Sequence, residues 1–250
     1  MSDHPKSPIK WIVLITAVLL IGVFIQNSMR GSSYADGGHG IVPFRWSSWQ
    51  DRNVADGSGQ RYLSRFDSVA LHGTATLDIQ IGDEPSVTLD GDPDVVRATR
   101  TEVHGDTLVI TRRPTGWFSY NSNKKLVAHV TLRRLDRLSV HGASDVTIAG
   151  ATSGTSRIAI NGTGHLTASG RMNSVSLVIN GTGDADLKAM PVDRAMVVVN
   201  GAGKVSLDVR NSLSATVNGA GDVVYDGDPP DVRSSVHGVG SIRRNTATGI

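Results

Sequence analysis

A chain of 250 residues without a single cysteine excludes disulfides, a lipoprotein thiol, zinc–thiolate centres and a cysteine nucleophile. A formal charge of +2, with no basic stripe interleaved with aromatics, gives no case for nucleic acid as a partner. With 39% hydrophobic residues, only 5% aromatics and 28 glycines, the composition suits many small β layers better than a bulky helical core.

The first ten residues are polar and carry Lys6 and Lys10; Trp11 to Ile25 then forms an apolar run interrupted only by Thr16 and Gly22. As a helix this run would be about 22 Å long, more than a signal-peptide core and less than the ~30 Å of a full membrane span. Lysines before it and only Arg30 soon after it predict an inside N-terminus and export of everything downstream. The small-residue cleavage candidate Ser33-Tyr34-Ala35 lies far past the apolar core, which favours an uncleaved anchor at 1–30 over a removed signal segment. Residues 31–64 shift to Gly, Ser, Asp and Arg and read as a flexible linker. Within it, Trp46 and Trp49 are placed to meet a lipid interface, grip a ligand or pack on the first coil.

From Phe66 the alternation of a half-buried strand sets in. Val69-Ala-Leu-His-Gly73 and Ala75-Thr-Leu-Asp-Ile-Gln-Ile81 read as two strands around a corner. Val87-Thr-Leu89, Val103, the turn His104-Gly105-Asp106, Leu108-Val-Ile-Thr111 and Lys125 to Leu132 continue as β structure. Residues 65–134 are expected to form a β layer that closes the open end of the repeats downstream. The irregular insertion Arg112 to Lys125 breaks this pattern, and its Trp117, Phe118, Tyr120, Asn121 and Asn123 are the side-chain types that stack on and hydrogen-bond to sugars or partner surfaces. They form a candidate ligand-binding loop; the alternative is a loop folded over the end of the stack to shield it.

Residues 135–244 repeat one phrase: alternating apolar residues, then Asn or His, then Gly, a small residue and usually Gly again. It reads Leu-Ser-Val-His-Gly-Ala-Ser from 138, Ile-Ala-Ile-Asn-Gly-Thr-Gly from 158 and Val-Val-Val-Asn-Gly-Ala-Gly from 197. The leading glycines Gly142, Gly162, Gly181, Gly201, Gly219 and Gly238 are 18 to 20 residues apart, a period that means a solenoid. Alternation before the corner (Ile158/Ile160, Leu177/Ile179, Val197/Val199) and after it (Leu166/Ala168, Ala185/Leu187, Val205/Leu207) places two strands per coil around one interior. Asn-Gly between alternating strands is also a strong hairpin signal, so an antiparallel meander is the competing reading of any single copy. The recurrence favours an all-β parallel β-helix of ~19-residue coils. Stacked coils bring Asn161, Asn180, Asn200 and Asn218 into an internal amide ladder, with His141 and His237 on the same rung. Three residues after each leading Gly a second column runs Asp145, His165, Asp184, Lys204, Asp222, Ser241, an order that avoids like charges on adjacent strands. The tail at 245–250 is polar.

These features together resemble the head GIN domain family, described as auto-transporter adhesin heads. The resemblance rests on an exported anchor, Phe66-x-x-Val69-x-Leu71-x-Gly73, the repeated Val-x-Gly-x-Gly phrases, Gly219-Ala-Gly-Asp-Val-Val-Tyr-Asp-Gly227 and the following Pro229. It covers roughly Phe66 to Arg244, with Ser144 departing from the Gly of the other copies. It implies a right-handed β-helix-like fold and no established catalytic residues.

Other motif readings fail. The Gly-x-Gly corners lead into strands, so they are not dinucleotide loops, and their period is twice that of a calcium-binding nonapeptide. Asn161-Gly-Thr163 and Asn180-Gly-Thr182 match the glycosylation pattern, which an inward ladder would make unavailable. His72, His141 and His237 share one repeat position but fall on coils read as far apart, so no metal site is expected. The expectation is therefore a membrane-tethered or secreted envelope module of a bacterial type, without cofactor, metal or catalytic residues, binding a glycan or an envelope or surface protein. The rival is a polysaccharide lyase or hydrolase, for which Asp184, Lys204 and Asp222 are the nearest approach to a reactive cluster.

Overall fold

The computed structural model describes residues 60–61, 65–112 and 125–246. The expected anchor at 1–30, most of the linker at 31–64, the aromatic insertion with Trp117 and the last four residues lie outside them. In chain order the elements are β1 (Gln60–Arg61), β2 (Ser68–His72), β3 (Ala75–Ile81), β4 (Ser86–Gly91), α1 (Pro93–Ala98), β5 (Thr99–His104), β6 (Thr107–Arg112), β7 (Leu126–Leu132), the long β8 (Arg137–Asp226), β9 (Asp231–Gly238) and β10 (Ser241–Arg244). The fold is all-β, with the strands in one curled sheet.

Burial follows the alternation read from the residues. Ile158, Ile160, Leu177, Ile179, Val197 and Val199 are buried before their corners, and Leu166, Ala168, Leu187, Val205 and Leu207 after them. Met172, Val175, Met190, Val192, Val209 and Leu213, between one second strand and the next first strand, are buried too. The core therefore draws on three stretches of each repeat.

The pairing is parallel at a fixed offset. β9 lies on β8 from Ser212↔Asp231 to Gly219↔Gly238, and β10 continues with Ser241↔Asp222. Asn218-Gly219 thus lies between two parallel-paired stretches, not at the turn of a hairpin. The glycines show why the phrase recurs. A Cβ on Gly201, at φ +140°, would lie 2.0 Å from the carbonyl oxygen of Gly181, and Gly162, Gly181, Gly219 and Gly238 meet the preceding corner in the same way. Only a residue without Cβ permits both the positive φ and this approach.

At the N-terminal side, spatial order departs from chain order. β2 and β3 pair with the first coil of β8, from Ser68↔Arg137 to His72↔His141 and from Ala75↔Ser144 to Gln80↔Ala149. β6 then lies parallel on β2, and β7 parallel on β3, so β6 and β7 sit outside β2 and β3. β5 and β4 close these edges in antiparallel fashion, and β1 pairs with β4. Gln60 and Arg61, read as linker, are therefore paired strand.

The stretch between Leu89 and Val103, part of the expected β layer, contains α1. Asp92 caps it by accepting from the Asp94 N–H at 3.0 Å, Pro93 opens the first turn, Arg97 pairs with Asp94, and Val95 is buried. Asp-Pro-Asp ahead of two valines is a helix start, and it outweighs the β-branched pair. Among the described residues no helix is long and apolar enough to cross a membrane.

The corner packing has a direct test. Gly105 also has positive φ (+63°), but a Cβ built there would meet nothing within 4 Å. Gly105→Ala is expected to cost about 1 kcal/mol, the left-handed penalty alone. Gly201→Ala adds a backbone clash and is expected to cost about 3 kcal/mol or more in urea unfolding.

Candidate ligand-binding surface

The asparagines form a continuous hydrogen-bonded row. Asn180 Nδ2 donates to Asn161 Oδ1 at 2.7 Å, Asn200 to Asn180 at 2.8 Å and Asn218 to Asn200 at 2.7 Å. The row is external, contrary to the expected internal ladder: Asn161 and Asn200 are half-buried, Asn180 and Asn218 exposed. Parity is the reason, because Ile160 points inward and the next residue along a strand points outward. Burial therefore does not keep Asn161 and Asn180 from modification; their amides are engaged in the row instead.

Histidines extend the row at both ends. His237 is the register partner of Asn218. His72 and His141, read as far apart, are adjacent: their rings stack with centroids 5.0 Å apart and planes at 6°. The chain between them loops out to form the outer strands and returns. Desolvation, and then the neighbouring His141, holds the His72 pKa below its ordinary value. Among the described residues no group of three or more His, Cys, Asp or Glu is placed to hold a metal ion.

The second column has a backbone function that its charges do not reveal. The Asp145 carboxylate accepts from the His165 peptide N–H at 3.2 Å, and Asp184 from the Lys204 N–H at 2.7 Å. Asp222 accepts from the Ser241 hydroxyl at 2.6 Å, and this hydrogen bond chiefly lowers its pKa against the opposing effect of desolvation. Each acid satisfies the coil that comes after it. Asp184, Lys204 and Asp222 do line one shallow depression. Asp184 and Asp222 each enter it already accepting a hydrogen bond from the stretch stacked on them.

One cluster has no sequence signal. His129 Nδ1 lies 3.2 Å from Asp78 Oδ2, and Nε2 lies 3.3 Å from Asp90 Oδ2. The three side chains come from β7, β3 and β4, and parallel and antiparallel registers converge on one imidazole.

Two open grooves cross this surface. The first, of about 590 Å³, is lined by Arg112 and Lys125, the residues flanking the aromatic insertion, together with Thr74, Asp145, Thr163 and His165. The Arg112 guanidinium donates to the Thr74 carbonyl at 2.7 Å across its floor. The second, of about 440 Å³, runs across the coils over Ser174 and Ser176, with Arg157, Arg194, Met196 and Arg233 on its walls. Sequence reading missed it, although its residues stand four and six positions before each rung of the Asn row.

The chain matches the family described as "Putative auto-transporter adhesin, head GIN domain" over residues 65–229. It belongs to this family. Among solved structures it is similar to a "putative adhesin" from Bacteroides fragilis NCTC 9343, with a TM-score of 0.62 at 17% identity over 74% of this chain and 94% of that one. A "putative adhesin" from Parabacteroides merdae ATCC 43184 gives a TM-score of 0.47 at 13% identity, covering 74% of this chain and 94% of that chain. A "Putative lipid binding protein" from Parabacteroides distasonis ATCC 8503 gives 0.39 at 19% identity with the same coverage of 74% and 94%. At these identities the first shares the fold alone, and the other two carry no argument. No curated protein matches the chain.

The head GIN match ends at residue 229, so β9 and β10, the last coil, lie beyond it. Arg233 of the second groove belongs to that added coil.

Two measurements test the surface. Asn180→Ala and Asn200→Ala each remove an exposed amide contact on both sides and are expected to cost about 0.5–1.5 kcal/mol, with the pair less than additive. Because the folded state holds His72 below its unfolded pKa, the unfolded state binds more protons near pH 6. Its stabilising contribution is present above about 6.5 and is lost as pH falls below that value. Melting temperature is expected to drop from pH 7 to 5, and His72→Asn to flatten the drop.

Proposed function

We propose that this head GIN protein is an exported, membrane-tethered adhesin or envelope-interaction module that works by binding and carries no catalysis. In this reading residues 1–30 anchor it in the inner membrane of a bacterial envelope, or are cleaved to release it, and 31–59 tether the β domain in the periplasm or outside the cell. Residues 65–134 close one end of a right-handed parallel β-solenoid at 135–244. The observation that carries the reading is the surface itself: shallow and regular, with its ordered carboxylates hydrogen-bonded to the next coil. Such a rigid face presents contacts without reorganisation, which favours recognition.

The aromatic insertion is the proposed contact loop. Its flanking residues open onto the 590 Å³ groove, and Trp117, Phe118, Tyr120, Asn121 and Asn123 supply stacking and amide bonding. The expected ligand is a glycan or an envelope or surface protein; nucleic acid is not expected. The second reading, a polysaccharide lyase or hydrolase, draws on the Asp184, Lys204 and Asp222 depression.

Full-length protein applied to an array of glycans and envelope polysaccharides, with mass spectrometry on every retained ligand, separates the two. Intact ligand is expected, with retention of uncharged glycans lost in Trp117→Ala and unchanged in Asp184→Ala. Shortened or unsaturated sugars that disappear in Asp184→Ala would make the enzyme the better account.

A further inference from the structure

The second groove has the composition of a site for a polyanion. It crosses five stacked coils in two columns, fixed by counting back from the Asn row: residues four before each rung, from Arg157 to Arg233, and residues six before, from Thr155 to Asp231. Arg157, Arg194 and Arg233 stand on the first, third and fifth coils. At the parallel-strand spacing, successive guanidinium positions are offset by about 9.6 Å along the stack. The groove contains one acid, Asp231, at its far end and 3.5 Å from Arg233.

Each arginine is set differently. The Arg194 Nε donates to the hydroxyl of buried Ser174 at 3.2 Å, which orients its remaining fork toward the groove. Arg157 has no acidic partner among the described residues, and its column neighbours are Ser176 and Met196. Met196 is 54% exposed, more than any other large apolar side chain described within β8, and it lies between the arginines as an apolar platform. Planar forks recognise carboxylates bidentately, the serines supply hydroxyl donors, and a thioether packs against the apolar face of a pyranose.

We propose that this groove binds an extended acidic glycan, running along the stack with carboxylates of spaced uronic acid residues on Arg157, Arg194 and Arg233. The proposal rests on the adhesion reading and names its ligand class and a contact site separate from the aromatic loop. A regular polymer suits a regular surface: both repeat along one axis, so successive units meet successive coils. Asp231 opposes the ligand at one end, which sets the direction in which binding weakens.

Titration calorimetry of the full-length protein in detergent with polygalacturonate, and with its fully methyl-esterified form, tests this. Expected are binding of the acid only, a loss of about tenfold for Arg157→Ala and again for Arg194→Ala, as for one charge-assisted contact each, and tighter binding for Asp231→Asn. Met196→Glu is expected to abolish binding, while Trp117→Ala leaves it intact. The substituted groove positions are all exposed, and unchanged melting confirms folding. Equal binding of the methyl ester, or wild-type affinity in the Arg157→Ala, Arg194→Ala, Arg233→Ala triple variant, would overturn the groove. Failure of the wild type to bind polygalacturonate while it retains another envelope ligand would overturn the groove and leave the adhesion reading standing; absence of any ligand for the wild type would remove both.

Discussion

Everything in this molecule depends on how closely one corner approaches the next. The carbonyl oxygen of each leading glycine occupies the space in which the Cβ of the following corner residue would stand, 2.0 to 2.3 Å from that position along β8 and β9. A single side chain there would push two coils apart and break the ladder on both sides of the corner. The requirement also fixes register, because a one-residue slip would bring a β-carbon into the contact and turn the apolar residues outward. Sequence period, parallel pairing and a core built from small aliphatics all derive from the same steric fact.

Strict stacking converts each position of the repeat into a column. Inside, the columns are Val, Ile, Leu, Ala and Met. Outside, each column joins its own neighbours: amide to amide in the Asn row, carboxylate to peptide N–H in the acidic column, arginine to serine in the basic groove. Each such bond is exposed and worth little alone. Repeated along the stack, they hold the outer side chains in fixed order, so the surface is as regular as the core.

Much of this was legible in the residues, and the failures have definite causes. The corner phrase announced itself because no other residue fits there, and it identified the family as well as the strands. The amide row was placed on the wrong face since the corner was treated as a separate element, when Asn161 in fact continues the alternation of Ile158 and Ile160. The contact of His72 with His141 was hidden because chain order does not give stacking order when β4, β5, β6 and β7 take outer places before β8 begins. The short helix α1 was signalled by Asp92 and Pro93 but masked by two valines. The arginine groove escaped notice because its residues share no motif; they share only a distance from a corner, which acquires meaning once the register is known.

The two ends of the stack differ. At the first, antiparallel β4 and β5 cover the parallel edges. At the last, the interior column passes from Leu213, 1% exposed, to Val232, 41% exposed, with Val236 and Val239 exposed beside it. Parallel self-stacking at an offset of about 19 residues can be read chemically, because the chain has no cysteine of its own. Paired substitutions Thr216→Cys with Ser235→Cys join register partners, whereas Ser214→Cys with Val223→Cys join residues that an Asn-Gly hairpin would place opposite each other. Under mild oxidation the first pair is expected to form a disulfide in the folded protein and the second to remain reduced. Cross-linking of the second pair and not the first would contradict the stack and, with it, every surface assigned from it.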